Sequence, residues 1–166
     1  MADVRGPSSK IELRVLRGHQ TATVREEVVQ GRLSEAIGRI LHVVREAIDG
    51  QGVEPDGAPF VRYHSFGEIV DLEAGVRVTS PVQPAGPVQP SSLPAGPAAI
   101  AVHAGPYESL GGTYDAMRDW LEASTSHVAY GGPWELYITD PSVEPDPNKW
   151  LTEVIMPLKA APSRPT

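Results

Sequence analysis

Apolar and polar residues alternate from Ile11 to Leu16, and beyond a turn at Gly18-His19 the segment Thr21 to Val29 is rich in β-branched residues, so both stretches read as strands. The period then changes. Leu33, Ile37, Ile40, Leu41, Val44 and Ile48 recur at intervals of three and four, which aligns them on one stripe of a helix. Ser34 and Glu35 place polar and acidic groups in its first turn, and Gly50 to Gly52 ends it. Pro59 to Tyr63 and Ile69 to Val78 then read as two strands joined by a short polar turn, a hairpin.

The same order returns later in the chain. Ala98 to Ala104 reads as a strand, and Gly105-Pro106 breaks it and presets the first turn of a second helix. Leu110, Tyr114, Met117 and Leu121 form that helix's apolar stripe, Gly131-Gly132 closes the segment, and Pro133 to Thr139 and Leu151 to Pro157 read as two more strands. The pairs Leu33/Leu110, Ile37/Tyr114, Ile40/Met117 and Val44/Leu121 share one constant offset. At a slightly shorter offset, Pro59-Phe60-Val61-Arg62-Tyr63 lies against Pro133-Trp134-Glu135-Leu136-Tyr137, with proline, aromatic and tyrosine in matching places. The prediction is an α+β fold of duplicated β-α-β-β modules, their strands forming one mainly antiparallel sheet with two helices packed on it. Between the modules, Ser80 to Pro97 carries no charge and no hydrophobic period, and predicts an extended, polyproline-like connector. The chain thus reads as a single domain over 1–166, with modules at about 11–79 and 98–158, a linker at 80–97 and a disordered tail at 159–166. A seam between two modules is a common place for a small-molecule cleft.

Charge and composition narrow the partners. Lysine and arginine number 14 against 21 aspartates and glutamates, a formal charge of −7, which excludes a generic binder of the nucleic-acid backbone. Cysteine is absent, so there is no disulfide, thiol nucleophile or thiolate metal site. Met1 to Lys10 lacks the apolar core of a signal peptide and no stretch approaches the roughly 18 apolar residues of a membrane helix, so a cytoplasmic protein without membrane contact is expected. P-loop, dinucleotide, zincin and nucleophile-elbow motifs are missing, and the five histidines show no ligand spacing. No metal or cofactor is expected.

Glu135 stands out because it occupies an apolar strand between Trp134 and Leu136. Strand alternation puts Glu135, Tyr137 and Thr139 on one face and Trp134, Leu136 and Ile138 on the other. If the first face looks toward the helices, a carboxylate and a phenol share an aromatic cavity; if the second does, Glu135 is a solvated acid. A buried carboxylate would serve either to bind lipophilic cations or, oriented by Tyr137, to act as a general base on water. Asp71 and Glu73 share a strand face, whereas Glu108, Asp115, Asp119 and Glu122 form a solvated helix face. Trp120 and Tyr107 fit either core packing or pocket walls.

Four segments, PFVRYH (Pro59 to His64), DLEAGVRV (Asp71 to Val78), LPAGPAAIAVHAGPYESL (Leu93 to Leu110) and PWELYITDP (Pro133 to Pro141), resemble in order and spacing the GyrI-like small-molecule-binding domain. That domain is also the effector domain of AraC-type and BmrR-type regulators, and its fold is SHS2-like. The resemblance implies that Glu135 points into a ligand pocket with Tyr137 as its hydrogen-bonding neighbour. It further implies that Trp134, Trp120, Tyr107, Tyr63 and Phe60 belong to the pocket or its edge, although alternation turns Trp134 away from Glu135. The implied function is binding of hydrophobic, cationic small molecules. The alternatives are a hydrolase opening strained cyclopropane-type genotoxins with Glu135 and Tyr137, and a protein inhibitor of DNA gyrase. A separate transcription regulator or gyrase is the implied protein partner. Direct DNA binding is not expected, because too few residues precede Ile11 for a helix-turn-helix.

Overall fold

The computed structural model describes residues 10–162. Its strands are β1 (Glu12–Leu16), β2 (His19–Val29), β3 (Phe60–Ser65), β4 (Ile69–Arg77), β5 (Gln89–Leu93), β6 (Gly96–Ala104), β7 (His127–Ala129), β8 (Trp134–Tyr137) and β9 (Leu151–Ala160); the helices are α1 (Leu33–Gly50) and α2 (Leu110–Ala123). The strands form one antiparallel sheet in the order β1-β6-β9-β8-β3-β4-β2-β5, with the short β7 paired to the end of β9. This is the α+β architecture predicted from the duplicated β-α-β-β pattern.

Two tight connections curl the sheet. Arg17-Gly18 carries the chain from edge strand β1 to β2, and Pro94-Ala95 carries it from the opposite edge strand β5 to β6. Strands at opposite ends of the sheet order can be joined by two residues only if the ends approach each other. They do: a side chain at Gly18 would lie 3.4 Å from the Leu93 carbonyl oxygen and 3.6 Å from the Ala95 nitrogen. The curl gives the sheet an inner face, filled by Phe60, Leu93, Ala98, Ile100, Trp134, Leu136 and Ile155. Glu73 is also on this face, opposite Arg62 and Arg25 in register. It is buried but well partnered, accepting from Thr23 Oγ1 at 2.7 Å and meeting His64 Nε2 at 2.8 Å. Its neighbour Asp71 takes two bonds from Arg25, at 3.0 and 2.8 Å.

The helices cover the outer face. α1 buries Ala36, Ile40, Val44 and Ile48 against Val24 and Val28 of β2 and Val70, Leu72 and Ala74 of β4. Each fully buried branched side chain contributes roughly 1.5–3 kcal/mol. α2 buries Leu110 and Met117 against Ala99 and Ala101 of β6 and Val154 and Leu158 of β9. One helix therefore lies over β2 and β4 and the other over β6 and β9, leaving the central pair β3 and β8 between them.

That central pair carries the internal symmetry. Phe60 faces Leu136, Val61 faces Glu135 and Arg62 faces Trp134 across the antiparallel ladder. In the sequence repeat Val61 is the counterpart of Glu135, and here the two are also direct partners. The pseudo-two-fold axis relating the halves accordingly passes between Val61 and Glu135.

Two expectations need correction. The proline-rich stretch 80–97 is not an unpaired connector throughout, because Gln89–Leu93 forms β5 and pairs with His19 to Thr23 of β2. Pro90 is tolerated because β5 is an edge strand, where a missing N–H breaks no second ladder. The tail also begins later than expected, since β9 runs through Ala160 and the Ala161 amide donates to Ser126 at 2.9 Å. The remainder of the expected disordered tail, 163–166, and the polar start, 1–9, lie outside the described residues. Among the described residues, no helix is long and apolar enough to cross a membrane.

Candidate ligand-binding site

Because neither helix covers β3 and β8, a cavity of about 1020 Å³ opens above them, walled by α1 on one side and α2 on the other. Its lining repeats across the axis: Leu33 with Leu110, Ile37 with Tyr114, Leu41 with Arg118, Pro59 with Pro133, Tyr63 with Tyr137. Four of the five tyrosines in the chain contribute to it.

Glu135 lies on the cavity floor, 5% exposed. The Tyr114 hydroxyl donates to its Oε2 at 2.6 Å and the Tyr137 hydroxyl to its Oε1 at 2.9 Å. Burial pushes the Glu135 carboxyl above the usual carboxylate range, and the two phenols, with a smaller contribution from His103, pull it part of the way back. Burial and the Glu135 charge in turn push the phenols of Tyr63, Tyr114 and Tyr137 up, so they remain neutral donors. No lysine, arginine or histidine among the described residues lies within ion-pair distance of Glu135. The floor thus presents a desolvated carboxylate with neutral hydrogen-bond donors and, among the described residues, no ion-pair partner.

The wall is aromatic. Tyr107 stands edge-on to Tyr137 with ring centroids 5.5 Å apart, and Trp150 backs Tyr107 at 4.9 Å. The Trp150 indole N–H donates to the Glu144 carbonyl at 2.8 Å, which ties the loop after β8 to this stack. Across the cavity Tyr63 meets Phe66 edge-on at 5.6 Å. Such rings offer negative faces to a cation.

Two local devices hold these groups. Gly132 lets the chain before β8 press against β3, since a side chain there would run into the Tyr63 carbonyl; the Tyr63 amide then donates to Pro133 at 2.9 Å. His103, buried at the end of β6, contacts Thr113 Oγ1 through Nδ1 at 2.9 Å, and through Nε2 it contacts the Pro106 carbonyl at 3.0 Å and Ser109 Oγ at 2.9 Å. These bonds pin the first turn of α2 and so fix both Tyr107 before it and Tyr114 next to Thr113.

Of the residues nominated from sequence, the structure brings Glu135, Tyr137, Tyr107 and Tyr63 together at the cavity. Trp134 and Phe60 do not reach it. Strand alternation without a bulge sends both to the inner-face core, 2% and 1% exposed, where Arg62 lies 5.6 Å over the Trp134 ring. Trp120 also misses the cavity; α2 turns it onto the core formed with β6 and β9. Sequence reasoning left Tyr114 in the apolar stripe, although its pairing with Ile37 marked the place where the second half adds a hydroxyl. Phe66 and Arg118 were missed as well. Among the described residues no group of three potential metal ligands occurs.

The curled antiparallel sheet, the two helices and the cavity on their seam define a small-molecule-binding class of α+β domain. The chain belongs to the family of the GyrI-like small molecule binding domain, matched over residues 11–159. Comparison with curated proteins finds no match. Among solved structures it is similar to the EcmrR C-terminal domain, with 24% identity and a TM-score of 0.82, covering 91% of this chain and 98% of that one. It spans 59% of the longer EcmrR chain in a complex with DNA, at 23% identity and a TM-score of 0.83 over 94% of this chain. A hydrolase from Listeria innocua shares 15% identity and a TM-score of 0.64, over 93% of this chain and 94% of that one. SAV2435 bound to tetraphenylphosphonium shares 13% identity and a TM-score of 0.62, over 90% of this chain and 94% of that one. At these identities the likeness establishes the fold.

Proposed function

We propose that this protein binds hydrophobic, cationic small molecules in the cavity between α1 and α2, with Glu135 as the counter-ion. The observation that carries the reading is the carboxylate on the floor of an aromatic cavity, held by two neutral phenols and paired with no cationic side chain among the described residues. A buried charge without a partner is costly, and a ligand cation relieves that cost while its apolar body fills the cavity. SAV2435, which shares the fold, holds tetraphenylphosphonium, a cation of this chemistry, and that makes it a suitable probe.

The hydrolase alternative uses the same two residues, Glu135 as base and Tyr137 as donor. Burial favours it by raising the carboxyl, but a phenol on each oxygen lowers basicity and occupies one lone pair apiece. Isothermal titration of tetraphenylphosphonium into the wild type and Glu135→Gln tests the binding reading. Saturable binding that weakens at least about tenfold in the variant is the expected outcome, corresponding to about 1.4 kcal/mol for loss of the ion pair. Equal affinity in both proteins would remove Glu135 from the site. Mass analysis of a strained electrophile recovered from the protein separates the alternatives, since hydrolysis adds one water. The gyrase-inhibitor alternative calls for activity without ligand, which a supercoiling assay reads directly.

A further inference from the structure

The paired positions of the cavity differ in chemistry between the halves. Val61 is matched by Glu135, Ile37 by Tyr114 and Leu41 by Arg118, and the charged lining groups, Glu135, Arg118 and Asp140, all come from the second half. The α1 side offers Leu33, Ile37 and Leu41, a mainly hydrocarbon wall with the uncharged Ser34 beside it. The α2 side offers a line of polar groups: the Tyr114 hydroxyl on Glu135, then Arg118 one helical turn on, about 6 Å along the axis.

Arg118 is placed at the rim and is not locked there. Its side chain is 64% exposed, and its one ion pair among the described residues, NH1 to Asp115 Oδ1 at 3.2 Å, is made to a side chain that is itself 70% exposed. Such a surface pair is weak and leaves the other guanidinium nitrogens available. Asp140 also lines the cavity, near Tyr107, whose phenol its charge helps push up. A ligand in the cavity therefore meets a negative floor, the Asp140 carboxylate near Tyr107, and Arg118 as the one positive lining group, at the α2 rim. A simple lipophilic cation gains at Glu135 and is repelled by Arg118, whereas a ligand that also carries an acid gains at both.

We infer that the cavity selects zwitterionic amphiphiles, with a cationic centre at Glu135, a carboxylate at Arg118 and an apolar body against α1, and that Arg118 is the residue setting this preference. The inference rests on the cation-binding reading and names the ligand class within it. The test compares rhodamine B, whose carboxylate is free, with its ethyl ester, which keeps the same cation, by fluorescence titration of the wild type, Arg118→Gln and Arg118→Lys. The wild type should bind rhodamine B at least as tightly as the ester. Arg118→Gln should weaken rhodamine B about two- to fivefold while leaving the ester equal or tighter, and Arg118→Lys should restore the wild-type ratio. A merely structural role for Arg118 would shift both dyes in the same direction. A ratio of the two dissociation constants that Arg118→Gln leaves unmoved would overturn the inference alone, as would binding of tetraphenylphosphonium with neither dye. Failure of all three cations to bind the wild type would remove the cation pocket and this inference with it.

Discussion

Replacing Tyr114 with phenylalanine isolates the hydrogen bond that matters most to the charge state of Glu135. The hydroxyl donates to Oε2 at 2.6 Å inside a largely desolvated cavity, and the change removes one oxygen without altering the ring. A hydrogen bond to a charged group is worth about 1.5–3 kcal/mol, which at 1.36 kcal/mol per unit corresponds to a rise of about one to two units in the Glu135 pKa. Water admitted to the cavity replaces part of the lost bond, so the lower end, about one unit, is expected. A permanent cation binds the ionised carboxylate, so affinity rises with pH up to the Glu135 pKa of the free protein and is flat above it. Burial already sets that bend above the usual carboxylate value. Titrating tetraphenylphosphonium calorimetrically from about pH 5 to about pH 9 should show the bend about one unit higher in Tyr114→Phe, with affinity largely recovered on the alkaline side. An unmoved bend, or a loss equal at every pH, would refute the account in which this phenol stabilises the ionised carboxylate.

The same carboxylate affects stability without ligand. Its folded pKa is raised, so its contribution favours folding below the unfolded value and is lost as pH rises through the folded one; Glu135→Gln should raise the Tm at neutral pH and converge with the wild type below about pH 4.5. Glu73 runs the other way: burial raises it, yet hydrogen bonds from Ser91, Thr23 and His64 outweigh that and hold it below the usual range, so its stabilisation is present above about pH 4.5 and lost as pH falls through the folded value. Acid unfolding followed by circular dichroism should accordingly flatten in Glu73→Gln. Trp134→Phe should lower stability by about 1–2 kcal/mol in urea while changing tetraphenylphosphonium affinity less than twofold, because that ring belongs to the inner-face core. Gly75→Ala should destabilise by about 3 kcal/mol or more in the same assay, since the added methyl would overlap the Ala22 carbonyl across the β2–β4 ladder.

Elements with a strong period were legible. The stripe of α1 and the repeated strand motif located both helices and the central strand pair because burial on one face forces those periods. β5 was not legible, since Gln89-Pro90-Ser91-Ser92-Leu93 buries only Leu93 and its pairing depends on β2 arriving alongside. At the site, alternation correctly turned Trp134 away from Glu135, and the aromatic likeness that nominated it carried no information about direction. Tyr114 was hidden for a different reason. Its ring satisfies the apolar stripe, and only the position of α2 beside the uncovered β8 shows that the hydroxyl extends past that stripe to a carboxylate.

The pseudo-two-fold axis between Val61 and Glu135 has an evolutionary consequence. Two separate identical half-chains assembled in this way would place the same residue on both sides of the axis, with Cβ atoms about 5 Å apart. The centre of the floor would then hold two carboxylates or none, and two desolvated carboxylates so close cannot both stay ionised. Joining the halves in one polypeptide frees the paired positions to mutate independently. A singly charged centre on a symmetry axis is therefore a property that covalent duplication makes available and a symmetric homodimer does not, and the hydrocarbon of Val61 is as much a part of that solution as the acid opposite it.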